Sequence, residues 1–238
     1  MTDKPKILIV DDEPEIRSML RVLLEVEDFQ VIETDTGKGA LRQIVAASPS
    51  LILLDLGLPD IDGQDIIASI RQFSQTPIIV LTARSEDYQA IRALNAGVDD
   101  YVTKPFRMDV LLARIRANLR PVDTRSANGD LTNGPIRIDR IRHEVFVNQR
   151  RVNFTPKEFA LLELFLKNKG RIITHRQILG EVWGDSHLND PQYLRVYIGQ
   201  VRAKLDKAGG LGGCLTSEAR IGYRLAVLEA DAAAVAAE

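Results

Sequence analysis

KILIVDD (residues 6–12), LILLDLG (51–57), PIIVLTA (77–83) and DYVTKPF (100–106) share one pattern: a short apolar run that stops at acidic, hydroxyl or basic residues. With a further run at residues 31–32, they alternate with stretches of helical spacing. Examples are Ile16, Met19, Leu20, Leu23 and Leu24, and later Leu111, Leu112, Ile115 and Leu119. Strands alternating with helices predict a parallel sheet covered on both faces, and near-continuous apolar strands are what two-sided burial demands. In such sheets the ligand site lies outside the carboxyl ends of the strands. The polar residues stand there: Asp11 and Asp12 after the first run, Asp55 after the third, Thr82 after the fourth, Thr103 and Lys104 after the fifth.

Taken singly, each is ordinary. Asp-Asp after a strand caps helices, Asp55 suits a turn, and Lys104-Pro105 suits a loop. At four strand ends of one sheet, three carboxylates would repel one another unless a cation sat among them. Oxygen donors with room for water suit Mg²⁺. A carboxylate beside such an ion, with a lysine and a hydroxyl opposite, is fitted to receive a phosphoryl group: Asp55 as nucleophile, Lys104 neutralising the equatorial oxygens, Thr82 donating to one of them.

The remaining sequence divides the chain. Its 238 residues fit one large domain or two ordinary ones, and 45% apolar with 27% charged residues is a globular mixture. No apolar run approaches a membrane span, no secretory leader is evident, and a lone cysteine, Cys214, excludes an internal disulfide, so a cytoplasmic protein is expected. Residues 1–120 hold 14 Lys/Arg against 19 Asp/Glu, whereas residues 121–228 hold 17 against 11. An acidic half joined to a basic half predicts two domains with different partners, the second a candidate for nucleic acid. Residues 121–135 lack periodicity and read as a flexible linker, residues 136–228 as the second domain, and residues 229–238 as an alanine-rich tail.

Within the second domain, short alternating stretches predict a small antiparallel sheet. Three helices follow. The first is opened by Thr155-Pro156 with Glu158 completing a capping box, the second by Thr174, and the third covers about residues 190–208, before a final hairpin over residues 214–225. At 100° per residue, Leu194, Ile198, Val201 and Leu205 form the buried arc of the third helix. Opposite lie Gln192, Val196, Gly199 and Ala203; Arg195 and Arg202 line one edge, and Tyr193, Tyr197, Gln200 and Lys204 the other. A thin outer face with polar flanks suits a major groove. Gly199 within a helix costs roughly 0.5–1 kcal/mol relative to alanine, so some close approach is expected to compensate. Arg220, near the hairpin tip, suits a minor groove or plain solvation equally.

ILIVDDEPEIRSML, LILLDLGLPDIDG, PIIVLTAR and AGVDDYVTKPF resemble the receiver domain of two-component response regulators. TPKEFALLELFLKNKG, YLRVYIGQVRAKL and IGYRL resemble the winged-helix output domain of the OmpR/PhoB family. The likeness covers about residues 6–226, and LDLGLPD, LTARSE and QYLRVYIGQ point to its potassium-responsive subgroup. The resemblance implies an α/β receiver with a five-stranded doubly wound parallel sheet, then an α+β winged-helix DNA-binding domain. It implies Asp55 as the phosphorylated residue, Asp12 and Asp55 as direct Mg²⁺ ligands, Asp11 as a ligand through water, and the Gly57 carbonyl as a further one. Thr82 and Tyr101 match the switch pair, Lys104 the phosphate-binding lysine, and the Lys104-Pro105 bond is expected to be cis. The implied DNA-contacting residues are Gln192, Arg195, Val196, Gly199, Gln200, Arg202 and Arg220. The implied partners are a sensor histidine kinase, double-stranded promoter DNA, RNA polymerase through residues 184–190, and a second copy of the chain on phosphorylation. Asp99, Asp100 and Arg114 match the charged dimer surface of relatives, whereas Ala90 and Val110 lack the usual charged pair, which predicts weaker or more apolar dimerisation. Relatives commonly have glycine where Arg220 stands.

Two other functions compete. A metal-dependent phosphatase using Asp55 as nucleophile would need an acid two residues on, and Gly57 stands there. An adaptor whose second domain binds no DNA would leave the basic charge without a role.

Overall fold

The computed structural model describes residues 4–82, 92–119, 129–188 and 190–229. The chain forms two compact units, Met1–Arg120 and Pro121–Glu238.

The first unit is a five-stranded, all-parallel sheet of β1 (Lys6–Val10), β2 (Gln30–Thr34), β3 (Leu51–Asp55), β4 (Ile78–Thr82) and β5 (Asp100–Thr103), in the order β2-β1-β3-β4-β5. Strand order reverses between β1 and β3, so the crevice at the carboxyl end of the sheet opens beside Asp11, Asp12 and Asp55. β3 and β4 are buried at every position, as expected for strands covered on both faces. Helices α1 (Pro14–Val26), α2 (Gly37–Ala47), α3 (Gly63–Arg71) and α4 (Met108–Leu119) cover the sheet, and Arg92 to Asn95 are also helical. One core cluster joins Ile7 and Ile9 of β1, Leu51 and Leu53 of β3, Ile79 and Leu81 of β4, Leu20 and Leu24 of α1, and Leu111 and Ile115 of α4.

The helix starts are fixed by side chains. Thr36 accepts from the Gly39 amide and Asp62 from the Gln64 amide. Asp60 reaches across to accept from the Lys38 and Gly37 amides, which hold its carboxyl below the ordinary range. The loop after β3 is thereby tied to the start of α2.

The second unit opens with the antiparallel sheet β6 (Leu131–Asn133), β7 (Ile136–Asp139), β8 (Glu144–Val147) and β9 (Arg150–Val152). The linker expected over residues 121–135 is therefore too long, because residues 131–133 pair with β7. The LTNGP turn masked that strand: three residues show too little alternation to register. Residues 121–128 lie outside the described residues, as do residues 230–238 of the expected tail. Helices α5 (Pro156–Lys167), α6 (His175–Val182) and α7 (Pro191–Gly209) follow, then β11 (Leu215–Glu218) and β12 (Gly222–Leu225). The predicted capping box of Thr155 with Glu158 is present, and the Thr174 cap forms a second box with Gln177. The hairpin gains a third strand, β10 (Ile172–Thr174), in the order β10-β12-β11. Thr174, expected only as a cap, both ends this strand and starts α6.

A buried ion pair and a buried charged hydrogen bond supplement the apolar core of the second unit. Arg140 bonds Glu163 at 2.6 Å, and the Lys157 ammonium donates to the Val182 carbonyl at 2.9 Å, closing the end of α6. Among the described residues no helix is long and apolar enough to cross a membrane.

Candidate functional site

Asp11, Asp12 and Asp55 converge as the sheet order requires, each offering a carboxylate oxygen within 4.8 Å of the others. Asp11 is fully buried, Asp55 nearly so and Asp12 exposed. The Lys104 ammonium stands among them, 2.9 Å from Asp11 Oδ2, 2.9 Å from Asp55 Oδ2 and 3.2 Å from Glu13 Oε1. Burial raises the Asp11 carboxyl above its ordinary range, although the Lys104 and Glu13 hydrogen bonds oppose this. Burial also works against the Lys104 ammonium, but hydrogen bonds to Asp11 and Asp55, with their charges, outweigh it and hold Lys104 above an ordinary lysine. The Lys104-Pro105 peptide is cis, and the Lys104 amide donates to the Thr82 carbonyl at 2.6 Å.

The Gly57 amide donates to Asp55 Oδ1 at 3.2 Å, which holds the turn after β3 close to the Asp55 carboxylate. A cleft of about 260 Å³ opens above, lined by Asp55, Gly57, Thr82 and Lys104, and by Glu13, Gln64 and Arg92. Sequence reading missed the last three. Glu13 adjoins Asp12 and carried a signal; Gln64 and Arg92 reach the cleft through tertiary packing alone. The donor set fits a hard divalent cation: three carboxylates within reach of one another, two of them already drawing a buried ammonium. Thr82 is buried at the end of β4, and Tyr101 is half-buried on neighbouring β5.

The expected charged dimer surface is corrected. Asp99 and Asp100 are fully buried. Asp99 accepts from Arg71 at 2.8 Å and from the Ile78 amide at 2.9 Å. Asp100 accepts from Arg114 at 2.6 Å and from its neighbour Tyr101's amide at 2.7 Å. These ion pairs staple α3 and α4 to the sheet, because a carboxylate at the start of a buried strand must find its partner within the unit. Val110 is half-buried, and Ala90 lies outside the described residues.

In the second unit, α7 buries Leu194, Ile198, Val201 and Leu205 as expected, but also Tyr193 and Tyr197, which were placed on an edge. Their rings pack on Trp183, with centroids 6.3 and 5.0 Å away, so the buried arc is wider than four aliphatic residues suggested. Gln192 and Val196 are partly exposed, Arg195, Gly199 and Ala203 fully so, and Gln200 is half-buried. A Cβ on Gly199 would meet nothing within 4 Å. Among the described residues no close approach within the unit compensates for this glycine. Lys204 pairs with Glu158. The Arg202 guanidinium is engaged: Nε donates to the Leu215 carbonyl at 2.7 Å, Nη2 to Ser217 Oγ at 3.0 Å, and the group lies over the Tyr223 ring. It buttresses the hairpin against α7. Arg220 is exposed at the β11–β12 turn with φ +63°, a left-handed conformation that favours glycine. Residues 185–187 form a short 3-10 turn.

Residues 7–116 match the response regulator receiver domain, and residues 149–225 the C-terminal domain of transcriptional regulatory proteins. The transcriptional regulatory protein KdpE of Mycobacterium tuberculosis is 39% identical over 92% of this chain and 97% of its own length. The Escherichia coli KDP operon transcriptional regulatory protein KdpE is 41% identical over 92% and 97%. The chain belongs to the OmpR/PhoB-type response regulators. Within them it is also similar to the sensory transduction protein RegX3 of Mycobacterium tuberculosis, 36% identical over 92% of this chain and 98% of the relative. Among solved structures, a RitR mutant superposes with a TM-score of 0.77 at 24% identity over 93% and 98% of the two chains, a likeness of fold. The Thermotoga maritima OmpR/PhoB homologue DrrB matches with a TM-score of 0.50 at 28% identity over 94% and 100%. A receiver domain implies a sensor kinase as partner, and the C-terminal domain implies DNA binding. The protein is a two-component transcriptional regulator close to KdpE rather than a metabolic enzyme.

Proposed function

We propose that phosphorylation of Asp55 by a sensor histidine kinase switches this regulator into a dimer that binds tandem half-sites in promoter DNA. The carrying observation is the cluster at the sheet's carboxyl edge, in which Lys104 bridges Asp11 and Asp55 at 2.9 Å each. Asp12 and Asp55 would hold Mg²⁺ directly, Asp11 through water, with the Gly57 carbonyl completing the set. The ion, when bound, supplies positive charge to the phosphoryl oxygens. In-line attack by Asp55 Oδ on phosphorus displaces the donor's imidazole nitrogen, while Lys104 and the Thr82 hydroxyl hold the equatorial oxygens. Phosphorylation adds a doubly charged, acceptor-rich group, drawing Thr82 toward it, and Tyr101 on β5 turns inward behind it. The resulting change of surface beside β5 favours association of receivers. With Asp99 and Asp100 engaged internally, that association rests on fewer charges than in relatives.

On DNA, the outer face of α7 enters the major groove. Gln192, Arg195 and Gln200 reach base edges and phosphates, Val196 and Gly199 form the thin centre, and Arg220 follows the wing into the minor groove. Arg202 is the least independent of these contacts, because it also holds the wing. Residues 184–190 are the proposed contact with RNA polymerase. The KdpE likeness supports control of a potassium-transport operon, in the cytoplasm.

Sedimentation with and without beryllofluoride, beside binding to single and paired half-sites drawn from random duplexes, tests the switch. The mimic is expected to dimerise the protein and to tighten paired sites only, since the second half-site binds at high effective concentration. Gly199→Ala is expected to stabilise α7 by roughly 0.5–1 kcal/mol yet weaken DNA binding. A mimic that leaves a monomer while tightening a single half-site would sink the association mechanism.

A further inference from the structure

At the mouth of the acceptor cleft, Arg92 Nη2 donates to Gln64 Oε1 at 3.1 Å, and both side chains line the space shared by Asp55, Thr82 and Lys104. Gly63 brings Gln64 there. A Cβ on Gly63 would lie 2.7 Å from Leu56 Cα, so only glycine lets the first turn of α3 sit on the residue after Asp55. Asp62 then fixes that turn by accepting from the Gln64 amide at 2.9 Å. Asp55 is buried, Gln64 half-buried and Arg92 exposed, so the pair stands between the acceptor and solvent.

This inference rests on phosphorylation of Asp55. Hydrolysis of an acyl phosphate needs a water in line with the breaking bond, on the side of phosphorus away from the aspartate. That water enters from the mouth of the cleft, where the pair stands. We propose that Gln64 positions the water that hydrolyses phospho-Asp55, and that Arg92 restrains it by occupying its carbonyl oxygen. Glutamine side chains orient the attacking water in other phosphoryl transfers. Here Gln64 Oε1 accepts a hydrogen bond from the water while the water oxygen bonds to phosphorus. The P–Oδ bond breaks, its electron pair returns to the Asp55 carboxylate, and both water hydrogens leave with the phosphate as H₂PO₄⁻. While Arg92 holds Oε1, this geometry is rarely reached and the phosphorylated state persists. Gln64 is thus the water-positioning residue, and Arg92 acts through it.

The full-length protein would be phosphorylated with phosphoramidate in Mg²⁺, the donor removed, and decay of the phospho-protein followed by intact mass. Gln64→Ala is expected to lengthen the half-life on the order of tenfold, and Gln64→Leu, which keeps the bulk, to do the same. Arg92→Ala is expected to shorten it several-fold. The double variant should decay as slowly as Gln64→Ala alone, the decay being followed from the labelled protein after the donor is removed. A purely structural pair would instead give additive effects on decay. The proposal is overturned by Gln64 variants that decay at the parental rate or faster, or by an Arg92→Ala variant that is no faster. If the parental protein takes no label at Asp55, the acceptor reading itself fails, a result distinct from labelled variants with unchanged decay.

Discussion

Replacing Lys104 with alanine is expected to slow phosphorylation of Asp55 by about 10²–10³-fold, the usual effect of removing one preorganised charge-stabilising donor. The same change is expected to lower stability at neutral pH by about 3 kcal/mol, because it leaves two buried carboxylates without their counter-charge. Asp11 has no exposed side-chain surface, and Asp55 and Lys104 have 11% each, so solvent screens this cluster little. The pH dependence has a definite sign. Lys104 titrates above an ordinary lysine in the folded state, so its contribution is complete below the lysine's ordinary pKa and is lost as pH rises through the folded value. The variant should therefore differ most from the parent at neutral pH and converge with it in strong alkali. Because the ammonium and a divalent ion compete for the same carboxylates, Mg²⁺ should bind the variant more tightly even as phosphorylation slows. Denaturant titration with and without Mg²⁺, beside a labelling time course, separates the two effects. A variant that phosphorylates at the parental rate would remove Lys104 from the acceptor machinery.

The second large effect is in the DNA-binding unit. An alanine at Gly222 would place its Cβ 1.8 Å from the Ile173 carbonyl oxygen and 2.9 Å from Thr174 Cα. The obstacle is the backbone of β10, which cannot retreat without breaking its ladder with β12, where Thr174 pairs with Gly222. Gly222→Ala is expected to cost roughly 3 kcal/mol or more and to detach the wing. Trp183, the sole tryptophan of the chain, is buried in this unit against Tyr193 and Tyr197. Its fluorescence therefore reports unfolding of the second unit alone. The expected result is an early fluorescence transition with phosphorylation of Asp55 unchanged. An unshifted transition would show that β10 has room to move.

Much of this was legible from residue order. The five strands, their parallel sense and the gathering of Asp11, Asp12, Asp55 and Lys104 follow from apolar runs that end at one rim, since strand direction puts all carboxyl ends together. The Thr155–Glu158 capping box was equally plain, because the cap and its N3 partner are three residues apart, and Thr174 was legible as a cap though not with Gln177 as its partner. What escaped depends on residues far apart in the chain. Asp99 and Asp100 read as surface charges until Arg71, 28 positions earlier, and Arg114 are seen to reach them. Tyr193 and Tyr197 have phenolic oxygens and a position beside the aliphatic arc, so only Trp183 on the facing segment reveals them as core. Arg202 looked free at the edge of the third helix because its partners, Leu215 and Ser217, belong to the hairpin that follows. Gln64 and Arg92 carry no motif; Gly63 brings Gln64 to the acceptor, and side-chain packing brings Arg92. Short strands such as β6 and β10 hold three residues each, too few for a period of two to show.

The acidic edge of the receiver sheet is expected to accept a phosphoryl group on Asp55. The most direct measurement is intact mass and peptide mapping of the full-length protein after incubation with phosphoramidate and Mg²⁺, beside the Asp55→Ala variant. The predicted result is a gain of one phosphoryl group located at Asp55, dependent on Mg²⁺ and absent from the variant. A variant labelled as fully as the parent, with the group mapped to another residue, would contradict it.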